Sequence, residues 1–173
     1  FVIWGPVIED LPGHYLCCDN ELGARLAVRH LIALGRRRIA FIGGASEQCP
    51  EFLQRYRGYL AALAESGLKA DPRLRVDALS LEAEGYRAGQ ALLARGAKLD
   101  AVFAASDLIA MGAIGALRDA GRSVPRDVAV VGFDDIAVAS VFNPPLTTVQ
   151  QDTQLAGAVL VDNLIRLIDG EPV

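Results

Sequence analysis

Residues 101–135 read AVFAASDLIAMGAIGALRDAGRSVPRDVAVVGFDD. Ala101 to Ala105 is a short apolar run. Ser106 and Asp107 then open a segment in which Ala110, Ile114 and Leu117 recur at helical spacing, and Gly121 closes it. Val128 to Val131 is again wholly apolar, as a strand covered on both faces requires, and Gly132 to Asp135 turns the chain. A strand, a helix and a second strand joined by connections this long form a parallel crossover, not a hairpin.

The same alternation extends in both directions. Upstream, residues 22–34 place Ala24, Ala27, Leu31 and Leu34 on one helical face before Gly35, and Ile39 to Ile42 is a strand ending at Gly43 and Gly44. A helix over about 51–66 carries Phe52, Tyr56, Leu60 and Leu63; a strand is expected near Arg75 to Leu79 and a helix from Glu82 to Arg95. Downstream, a short helical piece at Ile136 to Val141 runs into Pro144 and Pro145, which cannot continue it. Leu146 to Gln150 reads as a last strand, and Asp152 to Ile168 as a last helix striped by Ala156, Leu160, Leu164 and Leu167. Repeated strand-then-helix units predict an α/β fold, a doubly wound parallel sheet with helices on both sides. Phe1 to Trp4 looks like a strand already in progress, which suggests a true N-terminus further upstream.

Composition narrows the function classes. The 173 residues are 52% hydrophobic with a net charge of −4, so they can bury a sizeable core but offer no general cationic surplus for a nucleic-acid backbone. The one basic run, Arg36 to Arg38, follows a helix end and reads as a solvated turn with favourable C-terminal charge. Cys17, Cys18 and Cys49 have neither zinc-site nor disulfide-framework spacing and suit a reducing compartment. No metal or cofactor is expected. Apolar stretches such as 155–161 are far shorter than the roughly 20 residues that span a bilayer. Phe1 to Trp4 lacks the basic flank of a signal peptide.

Ligands of doubly wound sheets sit beyond the carboxyl ends of the strands. That edge offers Gly43 and Gly44, then Arg55 near the start of a helix, Tyr86, Ser106 with Asp107, Asp134 with Asp135, and Gln150 to Asp152. A carboxylate, a guanidinium, an amide and an aromatic face suit a polyhydroxylated ligand, because they accept from hydroxyls, donate a fork of hydrogen bonds and cover a sugar's apolar face. Structural alternatives remain open: Ser106 as a helix N-cap, Asp134 or Asp135 as caps, Tyr86 in a core, Arg55 in an ion pair. Catalytic signatures are missing. His14 and His30 are the only histidines, and no GxSxG, P-loop, HExxH or GxGxxG spacing occurs.

Four segments together resemble the effector-binding core of the LacI/GalR family of bacterial transcription regulators: DNELGARLAVRHLIALGRRRIAFIGG (19–44), RYRGYLAALAESG (55–67), DAVFAASDLIAMGAIGALRDAGRSVPRDVAVVGFDD (100–135) and NPPLTTVQQD (143–152). The resemblance implies a type I periplasmic-binding-protein-like fold with one complete subdomain and part of a second. Residues 1–18 would end the N-terminal subdomain, 19–148 form the C-terminal one, and 149–173 return to the first; the DNA-binding helix-turn-helix has no counterpart here. By motif position the resemblance makes Arg55 and Asp134 ligand-binding. It places Tyr86 where many members have a stacking aromatic, Ser106 where they often have Asn, Gln151 in a cleft-facing crossover and Trp4 on the opposite wall. It makes Met111, Ile114, Ala139 and Phe142 candidates for a homodimer interface.

The function so implied is a cytoplasmic, non-enzymatic sensing core. A small-molecule effector, a carbohydrate by the chemistry of the edge, would alter operator DNA binding by a separate domain, without membrane involvement. The rival readings are a periplasmic sugar-binding protein of a transporter, and an α/β enzyme whose catalytic residues lie elsewhere.

Overall fold

A computed structural model describes residues 1–7 and 11–173. The chain forms two compact units, one from Phe1–Asp19 with Gln151–Val173, the other from Asn20–Gln150.

In the first unit, β1 (Val2–Trp4) pairs in parallel with β2 (His14–Leu16), in the register Ile3 to Tyr15. The helix α5 (Thr153–Ile168) packs against β1. Asp152 caps that helix, its Oδ1 accepting from the Leu155 N–H at 2.9 Å. Strand β2 was not expected from the sequence: the three residues His14, Tyr15 and Leu16 carry too little alternation to stand out. The expected stripe of α5 is also corrected. Ala156 is buried, Leu160 and Leu167 are half-buried, and Leu164 is exposed.

The second unit is a four-stranded parallel sheet in the order β4-β3-β5-β6, with β3 at Ile39–Ile42, β4 at Arg75–Val76, β5 at Ala101–Ala104 and β6 at Ala129–Val131. Its helices are α1 (Asn20–Ala33), α2 (Pro50–Glu65), α3 (Glu82–Ala94) and α4 (Asp107–Asp119). From β3 the chain crosses to β4 in one direction, then back past β3 to β5 and on to β6. Right-handed crossovers therefore put α2 on one face and α3 and α4 on the other, and α1 packs on α2 while α3 packs on α4. The doubly wound α/β architecture expected from the alternation is what the unit adopts.

Phe41, Ile42, Val102 and Phe103 are fully buried, which is why these strands are apolar without alternation. Leu146 to Gln150 does not make a regular strand; it meets the sheet through isolated parallel bridges, Val131 to Thr147 and Asp134 to Gln150. Leu34 is exposed, not on the core stripe, and α2 buries Tyr59 and Ala62 where Tyr56 and Leu60 are only half-covered. The Arg36–Arg38 run closes α1: Arg37 Nη1 donates to the Ile32 carbonyl at 2.8 Å, and Arg38 lies 3.6 Å from Asp100.

Candidate functional site

Strand order reverses between β3 and β5, so the carboxyl ends of these two strands form the natural crevice of the second unit. Gly43 follows β3 and is required there by close approach: a Cβ would lie 2.5 Å from that of Ala105 and against the Phe41 ring. Arg55 reaches this edge from the second turn of α2, with only 4% of its surface exposed. Its Nε donates to Asn20 Oδ1 at 2.9 Å, and its Nη1 donates to the Ala105 carbonyl at 2.5 Å and to Asp134 Oδ1 at 3.2 Å. The guanidinium also lies over the Phe133 ring, 3.7 Å from its centre. A buried charge needs this full set of partners to offset its desolvation.

Local chemistry explains how each partner arrives. Asn20 opens α1, and Gly58 lets α1 and α2 touch, because a Cβ there would run into the Glu21 carbonyl. Asn20 is 3% exposed and is braced in turn by Gln54, whose Oε1 accepts from its Nδ2 at 2.9 Å. Asp134 is presented by the turn after β6 with φ of +116°, followed by Asp135 at +55°. Non-glycine residues in these regions cost about 1–3 kcal/mol each and persist only where their surroundings hold them. The Asp134 N–H donates to the Val149 carbonyl at 2.9 Å.

The structure thus brings Arg55 and Asp134 together, with Ser106 one residue beyond the carbonyl that Arg55 holds. Ser106 is buried and caps α4, its Oγ accepting from the Ile109 N–H at 3.4 Å and from the Ser80 hydroxyl at 2.8 Å. Asp107 beside it is fully buried, and desolvation pushes its carboxyl above the ordinary range, with Asp135 adding repulsion, against the lowering effect of hydrogen bonds from Thr148 and Ile136.

Tyr86 is not part of this arrangement. Its hydroxyl donates to Asp119 Oδ2 at 2.6 Å. Asp119 ends α4, about 18 Å along the helix from its start at 1.5 Å per residue. Tyr86 is the second residue after Glu84 on an amphipathic helix, and the turn of α3 that carries it faces Gly112 and Gly115 of α4, beside an open groove of about 620 Å³. Trp4 and Gln151 belong to the first unit. Trp4 ends β1 with 41% of its surface exposed, and Gln151 Oε1 accepts from the Cys18 thiol at 3.1 Å.

Of the interface candidates, Ile114 and Ala139 are at most 1% exposed and Met111 is 4% exposed, so these side chains lie inside the second unit. Helix α4 is apolar nearly all round because it is lodged between the sheet and α3, where Gly85 and Gly112 allow backbone contact. Phe142 is half-buried. Sequence reasoning missed Asn20 and Phe133; an Asn before a helical run signals a cap, and nothing in its type shows that it holds an arginine. Among the described residues no group of His, Cys, Asp and Glu could hold a metal, and no helix is long and apolar enough to cross a membrane.

A family described as periplasmic binding protein-like domain matches residues 28–173. The chain is 42% identical over 157 residues to the HTH-type transcriptional regulator CelR of Thermobifida fusca, covering 91% of this chain and 46% of that protein. It is 38% identical over 166 residues to the ribose operon repressor of Escherichia coli strain K12, covering 95% and 49%. The solved complex of the regulator CelR with cellobiose superposes with a TM-score of 0.92 at 39% identity, over 99% of this chain and 53% of that one. The chain spans about half the length of the curated relatives it matches. It belongs to the periplasmic binding protein-like domain family and is homologous to the LacI/GalR-family HTH-type transcriptional regulators.

Proposed function

We propose that this chain is the effector-sensing core of a cytoplasmic LacI/GalR-type transcriptional regulator, that its effector is a carbohydrate, and that effector binding alters operator affinity through a separate DNA-binding domain. The observation that carries the reading is the Arg55–Asp134 pair, set at the carboxyl edge where the strand order reverses. A guanidinium and a carboxylate side by side donate to and accept from neighbouring hydroxyls, the pattern a sugar presents. The matched relatives are transcriptional regulators, which favours regulation over transport or catalysis. Ser106, in the same unit, is a further proposed contact to the effector.

A homodimer belongs to the same reading, since a two-fold protein matches paired operator half-sites. The proposed contact surface is Phe142 with the exposed Val138 and Val141 beside it. Sedimentation equilibrium of Val141→Asp tests it: a monomer at concentrations where the wild type is dimeric supports that surface, and an unchanged dimer removes it.

The sensing role is tested by thermal-shift screening of mono- and disaccharides, cellobiose and ribose included. A sugar at 100 times its Kd adds about 2.7 kcal/mol of stability. Calorimetry on Arg55→Ala and Asp134→Ala then reads the site. Each is expected to weaken binding by more than about 1.5 kcal/mol, because each removes charge-assisted hydrogen bonds. Unchanged affinity in both variants takes the pair out of the effector site.

A further inference from the structure

Asp107 is fully buried at the first position of α4, yet the helix does not need it. The cap is already supplied by Ser106. What Asp107 holds is the turn after β6, from both ends. Its N–H donates to the Phe133 carbonyl at 2.8 Å, and its Oδ2 accepts from the Ile136 N–H at 2.9 Å. Between these two anchors lie only Asp134 and Asp135, the two non-glycine residues with positive φ among those described. Oδ1 accepts from the Thr148 hydroxyl at 2.5 Å, and Thr148 Oγ1 in turn accepts from the Asp135 N–H at 3.3 Å. Gly132 completes the fit, since a Cβ there would run into Oδ1.

A carboxylate suits this place because it has two acceptor oxygens, one for the Ile136 N–H and one for the Thr148 hydroxyl. A buried charge is otherwise costly, so its presence needs a compensating task. The strained pair supplies one, because positive φ at Asp134 is what turns its side chain toward Arg55 Nη1.

We propose that Asp107, with Thr148, is a positioning residue for effector binding: it clamps the 133–136 turn so that the Asp134 carboxylate faces Arg55. The proposal rests on the reading of Arg55 and Asp134 as the effector site. It concerns how Asp134 is held, not what touches the sugar.

Double-mutant cycles in the full-length protein test it, with urea unfolding and cellobiose calorimetry as readouts. If Asp107 acts through Asp134, Asp134→Asn costs much less in an Asp107→Ala background than in the wild type, with a non-additivity of at least about threefold in the folding constant. Thr148→Val paired with Asp134→Asn gives the same sign and serves if Asp107→Ala does not fold. Asp107→Ala is expected to lower cellobiose affinity at least about tenfold, whereas Asp107→Asn, which keeps an acceptor for Ile136 and can donate to the Thr148 hydroxyl, restores most of it. Additive effects in both cycles overturn the proposal, as does equal affinity of Asp107→Ala and wild type. If the wild type binds no cellobiose while the stability cycles are non-additive, the clamp is supported and it is the choice of sugar that fails.

Discussion

Replacing Arg55 with methionine is the sharpest perturbation of the site that needs no ligand. Methionine fills a similar apolar volume on α2 and adapts to irregular space, so the cost isolates the guanidinium. Its loss takes the guanidinium donor from two buried acceptors, Asn20 Oδ1 and the Ala105 carbonyl, on residues 3% and 0% exposed. A buried acceptor stranded in this way costs about 1–3 kcal/mol. Asp134 is different: its side chain is 27% exposed, so water recovers part of what the lost partner gave. The cation over Phe133 contributes further, about 1 kcal/mol, and methionine packing against the same ring returns a similar amount. The balance is about 3 kcal/mol of destabilisation, mainly from the two carbonyl-type oxygens. Urea unfolding measures it directly: with a slope of about 1–3 kcal/mol per molar, the midpoint falls by at least about 1 M. An Arg55→Met midpoint indistinguishable from wild type would refute the reasoning, because it would mean that Arg55 is not held by these oxygens.

Gly112→Ala places a Cβ against the Glu82 carbonyl and 2.5 Å from the Tyr86 amide nitrogen, so it forces α3 and α4 apart and is expected to destabilise by about 1–3 kcal/mol or more; an unchanged melting temperature would count against the close packing. Tyr86→Phe removes only an exposed hydrogen bond to Asp119, so calorimetry with the sugar found in the screen is expected to give wild-type affinity, and a large loss would return Tyr86 to the site. Desolvation raises the Asp107 carboxyl, so the folded state keeps a proton that the unfolded chain has released. Its contribution to stability is therefore present below the ordinary Asp value near 3.9 and lost as pH rises through the raised one. Urea unfolding across that window is expected to show this slope in the wild type and not in Asp107→Asn, and equal slopes would argue against it.

The parts of the fold legible in the sequence are those where burial is two-sided or spacing is long. IAFI at 39–42 and AVFA at 101–104 announce themselves because both faces of each strand are covered. The helices were visible through their periodicity and the glycines that end them, with Gly35, Gly67, Gly96 and Gly121 all at positive φ. Less visible were positions decided by a neighbouring element. Tyr59 is buried over Tyr56 because its ring packs on Phe41 and its hydroxyl reaches the Ile39 carbonyl of β3, and no property of α2 alone reveals which turn meets the sheet. Met111 and Ile114, interface candidates only through the family resemblance and with a buried core as the alternative, are covered where Gly85 and Gly89 bring α3 onto α4. In the site, Arg55 and Asp134 were legible from position after strands, and their meeting follows from the strand order. Tyr86, set at the carboxyl edge by its distance after a strand, lies in the second turn of α3 with its hydroxyl on Asp119.

The unequal burial of the pair bears on how the two residues divide their work. The Arg55 side chain is 5% exposed and that of Asp134 27%, so an incoming hydroxyl meets more of the carboxylate than of the guanidinium. Arg55 is already ordered by Asn20, Ala105 and the Phe133 ring before any ligand arrives, so a ligand does not bear the cost of fixing a side chain that carries about 2 kcal/mol of rotamer entropy. The 3.2 Å ion pair is longer than the 2.7–2.9 Å of a strong charge-assisted bond. On the proposed reading, a sugar hydroxyl that accepts from the guanidinium and donates to the carboxylate displaces a long contact and leaves the bonds to Asn20 and Ala105 in place. On the same reading Arg55 serves mainly as a fixed positive charge that orients Asp134, and Asp134 supplies the discriminating hydrogen bonds.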